Sequence, residues 1–178
     1  MKRIMKLINA VTVSAMIVFG SAYAQVTPKL TDPEIASVAV VANQIDVNYA
    51  MIAKTKSKNA DVLKFAHTMS DDHTAVIKQA VALVTKLGVT PKDNAVSQKL
   101  LSDAAKTKKQ LNSKSGKAFD KAYIDNEVAY HKAVIDAVEN LLIPQSQNAE
   151  LKKLLQDVLP TLKAHLAHAE MVQKEFAK

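Results

Sequence analysis

The sequence predicts an all-α protein: an antiparallel four-helix bundle with a long, partly helical crossover between helices 2 and 4. Three observations predict it. Apolar residues recur every three or four positions along four long segments, the spacing that lines one face of a helix. Strand signals are missing, with no alternating β-branched or aromatic runs and no Asn-Gly or Asp-Gly turns. Beyond a leader, the only glycines are Gly88 and Gly116, and the chain is rich in Ala, Lys, Leu and Val.

The leader is read over residues 1–24. Lys2, Arg3 and Lys6 precede an apolar run from Leu7 to Gly20, and Ser21-Ala22-Tyr23-Ala24 has the small-x-small pattern of a signal-peptidase site. The run is short against the roughly 20 residues of a membrane span and contains Asn9, Thr12 and Ser14. Cleavage is therefore expected, with no transmembrane span remaining. The chain has no cysteine, which excludes a lipid-anchored lipoprotein, a disulfide framework and thiol redox chemistry. The expected location is the periplasm, with outer-membrane association open. Residues 25–30 form a short tail and 31–178 the bundle domain. Removing 24 of 178 residues leaves 154, enough for one core.

The first helix opens with Thr31-Asp32-Pro33-Glu34, a capping box with Pro in the first turn, and carries Ile35, Val38, Ala42, Ile45, Tyr49 and Ile52 on its stripe. Ser57–Asn59 makes a short turn. The second helix carries Val62, Ala66, Met69, His73, Ala80 and Leu83 and stops at Gly88. After Thr90-Pro91 a shorter, Lys-rich helix covers about 92–111 on the outside; it is only weakly amphipathic. The fourth follows Ser115-Gly116, carries Ile124, Val128, His131, Ile135, Val138 and Leu142, and is expected to end before Pro144. The last has Leu151, Leu155, Leu162, His165, Ala169 and Val172, with a kink or restart expected at Pro160. A crossover of about 28 residues can span a bundle about 40 Å long, which makes the second and fourth helices parallel, the ferritin-like connection.

Loss of three basic residues with the leader leaves 21 Lys+Arg against 17 Asp+Glu, a net charge of +4. These lysines, Lys106, Lys108 and Lys109 among them, are spread along helices. No concentrated basic face with aromatic or Arg readers is present, so no nucleic acid partner is expected.

Function turns on the histidines. Three of five, His73, His131 and His165, fall on apolar stripes, against roughly two in seven for random placement. Counted from the helix starts, His73 and His131 share a level, while His165 lies about 9 Å from it. Glu127 lies one turn before His131 on the same side. Two readings follow. His73, Glu127, His131 and His165 form a metal site suited to Zn, Cu or Ni, or they form a hydrogen-bonded core network without metal. His67 and His168 sit off the stripes; Asp71 and Asp72 are expected to face solvent, and Met69 to pack in the core. Tyr49, Tyr123 and Tyr130 are expected at the core edge. A carboxylate di-iron site needs Glu-x-x-His on two helices, and none occurs; Glu127-x-x-x-His131 has the wrong spacing. No nucleophile constellation or phosphate loop is present, so no enzyme is expected.

Phe65-Ala66 through Asp72-His73-Thr74, Phe119-Asp120-x-x-Tyr123, His131, and Leu159-Pro160 leading to His165-Leu166 together carry a family resemblance. Over about residues 31–172 the chain resembles uncharacterised exported bacterial proteins with a ferritin-like bundle. They are catalogued as a domain of unknown function and often labelled outer-membrane proteins. The resemblance implies fold and compartment but no activity, and its recurrent histidines match His73, His131 and His165. Relatives tend to carry an acidic residue near Gln44, so the departure here speaks against a metal ligand from the first helix. The functional alternatives are a periplasmic metal-binding bundle and a non-catalytic envelope or stress-related protein with an envelope protein partner.

Overall fold

The computed structural model describes residues 28–177; the predicted leader lies outside them. These residues are all-helical. Helix α1 spans Asp32–Lys56, α2 Ala60–Lys86, α3 Ala95–Asn112, α4 Gly116–Ala137 and α5 Ala149–Gln173. The predicted start of α1 is present: the Glu34 carboxylate reaches back to accept from the Thr31 N–H at 2.9 Å. Asn59, Asn94 and Asn148 cap α2, α3 and α5, each accepting two backbone N–H groups at its helix start. Gly88 ends the α2 region at a φ of +64°, a conformation that favours glycine.

Neither of the two prolines ends its helix. The α4 rod does not stop before Pro144. It continues through a π-turn at Val138–Leu142 and a last turn at Ile143–Gln145. The Ile143 N–H reaches back five residues to the Val138 carbonyl, and this wider turn absorbs the position where Pro144 has no N–H to give. Nor does α5 restart at Pro160; it is one helix with the proline inside. Pro160 and Gln156 are both exposed, so water can reach the carbonyl that the missing N–H leaves free.

Three-residue turns join α1 to α2 and α4 to α5. The helices of each pair pack against each other, α2 packs on α5 and α1 on α4, and α3 lies mainly along α1. The apolar core has two halves. One gathers the end of α1, the starts of α2 and α4 and the end of α5 around Tyr49, Val62, Phe65, Phe119, Tyr123 and Val172. The other gathers the start of α1, the end of α4 and the start of α5 around Ile35, Val38, Ile135, Leu142, Leu155 and Leu162. By length and composition α1 could cross a membrane, yet it begins after the predicted cleavage point and contributes to both halves.

Candidate metal centre

A polar layer separates the two apolar halves, and each of the four long helices gives it one group. Asp46 comes from α1, His73 from α2, His131 from α4 and His165 from α5; none is more than 4% exposed. The ring centroids are 5.7 Å apart for His73–His131, 5.2 Å for His73–His165 and 5.6 Å for His131–His165. The 9 Å offset expected for His165 is therefore corrected. The helical run of α4 extends to Gln145, so His131 lies 14 residues from that end, while His165 lies 16 residues into α5. Two residues are about 3 Å of helix, within the reach of a side chain.

One nitrogen of each ring is held. His73 Nδ1 donates to Asn43 Oδ1 at 2.7 Å, and the Asn43 amide is itself fixed by donating to the Ala39 carbonyl at 2.8 Å. His131 Nδ1 donates to the Glu127 carbonyl at 2.9 Å, and His165 Nε2 to Asp72 Oδ2 at 2.9 Å. These oxygens accept only, which assigns the proton to the held nitrogen and the lone pair to the other. The lone-pair atoms are His73 Nε2, His131 Nε2 and His165 Nδ1. None has a hydrogen-bond partner among the described residues, and neither does either Asp46 oxygen. Asp46 Oδ2 lies 3.3 Å from His73 Nε2 and 3.6 Å from His131 Nε2. One ligand atom from each of the three rings lies within 4.8 Å of the other two.

Glu127 is wholly buried, but it stands beside the held side of His131, with Oε2 3.6 Å from Nδ1. It groups with Asp46 and His131 rather than with the three rings. Burial sets the protonation of the layer. It pushes the Asp46 carboxyl up to about 8 and Glu127 well above the usual carboxylate range, the latter helped by the nearby Asp46. It pulls His73 down to about 3, with the other two rings adding to the effect, and His131 down to about 4. Without a cation, protons stay on the two carboxyls, and the rings of His73 and His131 stay neutral.

Asp46 gives the first helix a buried carboxylate in this layer, where no ligand from that helix was expected. The signal was present: Asp46 follows Ala42 by four and precedes Tyr49 by three, which is stripe spacing. Asp72 is corrected in part, since its half-exposed carboxylate holds His165. Tyr49 and Tyr123 are buried in the core rather than placed at its edge. Tyr130, half-buried, donates to the Ala42 carbonyl at 2.9 Å. Met69 packs in the core, His67 is exposed, and His168 stands edge-on to Phe65 at 5.2 Å.

One family model, that of a domain of unknown function, DUF4142, matches residues 20–172. The chain belongs to the DUF4142 family. No curated protein and no solved structure matches it. In this DUF4142 chain the matched span contains Asp46, His73, His131 and His165, and Glu127 beside them, so the whole polar layer lies inside the family domain.

Proposed function

We propose that this chain is an exported, periplasmic metal-binding protein with a ferritin-like four-helix bundle, holding one transition-metal ion between the two halves of its core. The supporting observation is the gathering of the three imidazoles, with an Asp46 oxygen beside His73 and His131, all buried and each with a ligand atom that has no hydrogen-bond partner among the described residues. Each such atom costs about 1–3 kcal/mol unless something satisfies it. Three neutral imidazoles and one carboxylate form a four-ligand set suited to Zn, Cu or Ni. Asn43, the Glu127 carbonyl and Asp72 play the part of outer partners that fix ring orientation. Glu127 itself is a neighbouring acid, able to take or give a proton beside His131. The leader read at residues 1–24 supports export, and the reading is of a binding protein rather than an enzyme. Metal-stripped protein takes up one equivalent of Zn, Cu or Ni, and His131→Ala removes the uptake while the helical signal persists. No retained metal on elemental analysis and no thermal shift with any of the three ions overturns the reading.

A second reading keeps the layer as a metal-free network in an envelope interaction protein. It is favoured by one observation: a protonated Asp46 can donate toward His73 Nε2 at 3.3 Å. In that case His73→Leu changes stability only modestly and leaves binding of an envelope protein partner intact.

A further inference from the structure

The polar layer opens on a cavity of about 370 Å³ that runs along the inside of the molecule. Asp46, His73, His131 and His165 line it, so the unpartnered atoms of the layer face this space. Away from them the wall is mainly aliphatic, with Val76, Leu83, Val138, Leu155 and Val158 prominent, while Asp103, Thr107, Asn126 and Thr161 add polar groups to it. Alanines on four helices, among them Ala36, Ala80, Ala104 and Ala137, leave the room. Ala129 and Ala133 also line it and are exposed, so the cavity reaches the surface along α4.

Shape narrows the choice of occupant. The lining on α5 extends from His165 to Leu151, fourteen residues or about 21 Å of helix. At about 30 Å³ per water-sized group, the volume takes roughly twelve such groups. An extended chain of that size can lie along the row of α5 residues that runs from His165 toward Leu151. The aliphatic wall suits an unbranched hydrocarbon tail, whose burial contributes about 0.8 kcal/mol per CH₂. At the polar end, an ion held by three neutral rings and one carboxylate keeps a positive charge, which attracts an anionic head.

We propose that the cavity binds a medium-chain aliphatic carboxylate of about ten carbons, its tail lying toward Leu151 and its head at the ion beside Asp46, His73, His131 and His165. The head placement rests on the metal reading given above; the tail placement rests on the cavity alone.

The test uses zinc-loaded protein and a series of straight-chain carboxylates, with binding followed by calorimetry and zinc by elemental analysis. Decanoate is expected to bind at least tenfold more tightly than butyrate or hexadecanoate. Ala80→Leu adds three carbon-sized atoms to the wall and is expected to keep its zinc while moving the preferred chain about three carbons shorter. Ala133→Leu, at the exposed rim, serves if that variant loses its helical signal, and is expected to weaken decanoate binding with zinc retained. Retained zinc with no preference for decanoate over butyrate overturns this inference and leaves the metal reading standing. An unshifted chain preference in Ala80→Leu overturns the placement of the tail. Failure to retain zinc overturns the metal reading, and with it the anchoring of the head.

Discussion

Asp46 is the residue on which the chemistry of the layer turns. Burial holds its proton up to about pH 8, while the His73 and His131 rings beside it are already neutral. Metal uptake at pH 7 therefore has to displace a proton from a carboxyl rather than from an imidazolium. Calorimetry in buffers of different ionisation enthalpy is expected to show about one proton released per ion in the wild type. Asp46→Asn should release none and bind more weakly; equal release from both forms would contradict the assignment. The same shifts set the pH dependence of metal-free stability. His73 and His131 titrate lower folded than the usual value of about 6.5, so the unfolded chain binds protons that they refuse, and acidification below about 6.5 costs stability. Asp46 and Glu127 titrate higher folded than unfolded, so their contribution is present at low pH and fades as pH rises from about 4 toward 8. The two effects oppose each other between about 4 and 6.5, and the carboxyls alone act above that range. Thermal melts of metal-free protein should fall from pH 6.5 to 8, and those of zinc-loaded protein should not. Parallel melting curves would count against the protonation pattern described here.

Among the elements, α5 and the α4 rod show where local rules give way. Pro160 removes a hydrogen bond from a helix interior, yet its position on the solvent face leaves the helix continuous. Interior proline disfavours a helix by about 3 kcal/mol relative to alanine, and partial hydration offsets some of that. Pro160→Ala is expected to raise unfolding free energy by about 1–3 kcal/mol in denaturant titration, with metal uptake unchanged. An unaltered midpoint would mean that the proline costs the folded helix nothing. The opposite sign is expected at Gly88, whose φ of +64° no side chain adopts easily. Gly88→Ala should lower stability by about 1 kcal/mol. Stripe spacing made α1, α2, α4 and α5 legible because an apolar period of three and four is a property of one helix alone. The π-turn at Val138–Leu142 was not legible, because nothing in Val-Glu-Asn-Leu-Leu distinguishes it from an ordinary α-turn.

Across the molecule, the polar layer joins four helices at one height. An ion there binds only when α1, α2, α4 and α5 are assembled, so its binding free energy adds to the stability of the whole fold. Free zinc at a hundred times its dissociation constant should raise unfolding free energy by about 2.7 kcal/mol. That gain should vanish in His131→Ala. A shift of equal size in the variant would place the zinc elsewhere. A contact between helix ends reinforces the same closure: the Asp32 carboxylate accepts from the Gln147 and Asn148 N–H groups at 2.9 Å each, tying the start of α1 to the turn before α5.

The sequence by itself determined the all-helical class, the faces of the long helices, and the inward placement of His73, His131 and His165. Those properties follow from the geometry of a single helix, where neighbours three and four residues apart share a side. Only the tertiary structure decided that the three rings share one height, that Asp46 completes the layer and Glu127 stands behind it, and which nitrogen of each ring is free. Heights depend on where turns and rods end, and ring orientation depends on Asn43 and Asp72, acceptors placed by packing between helices. No periodicity within one segment carries that information.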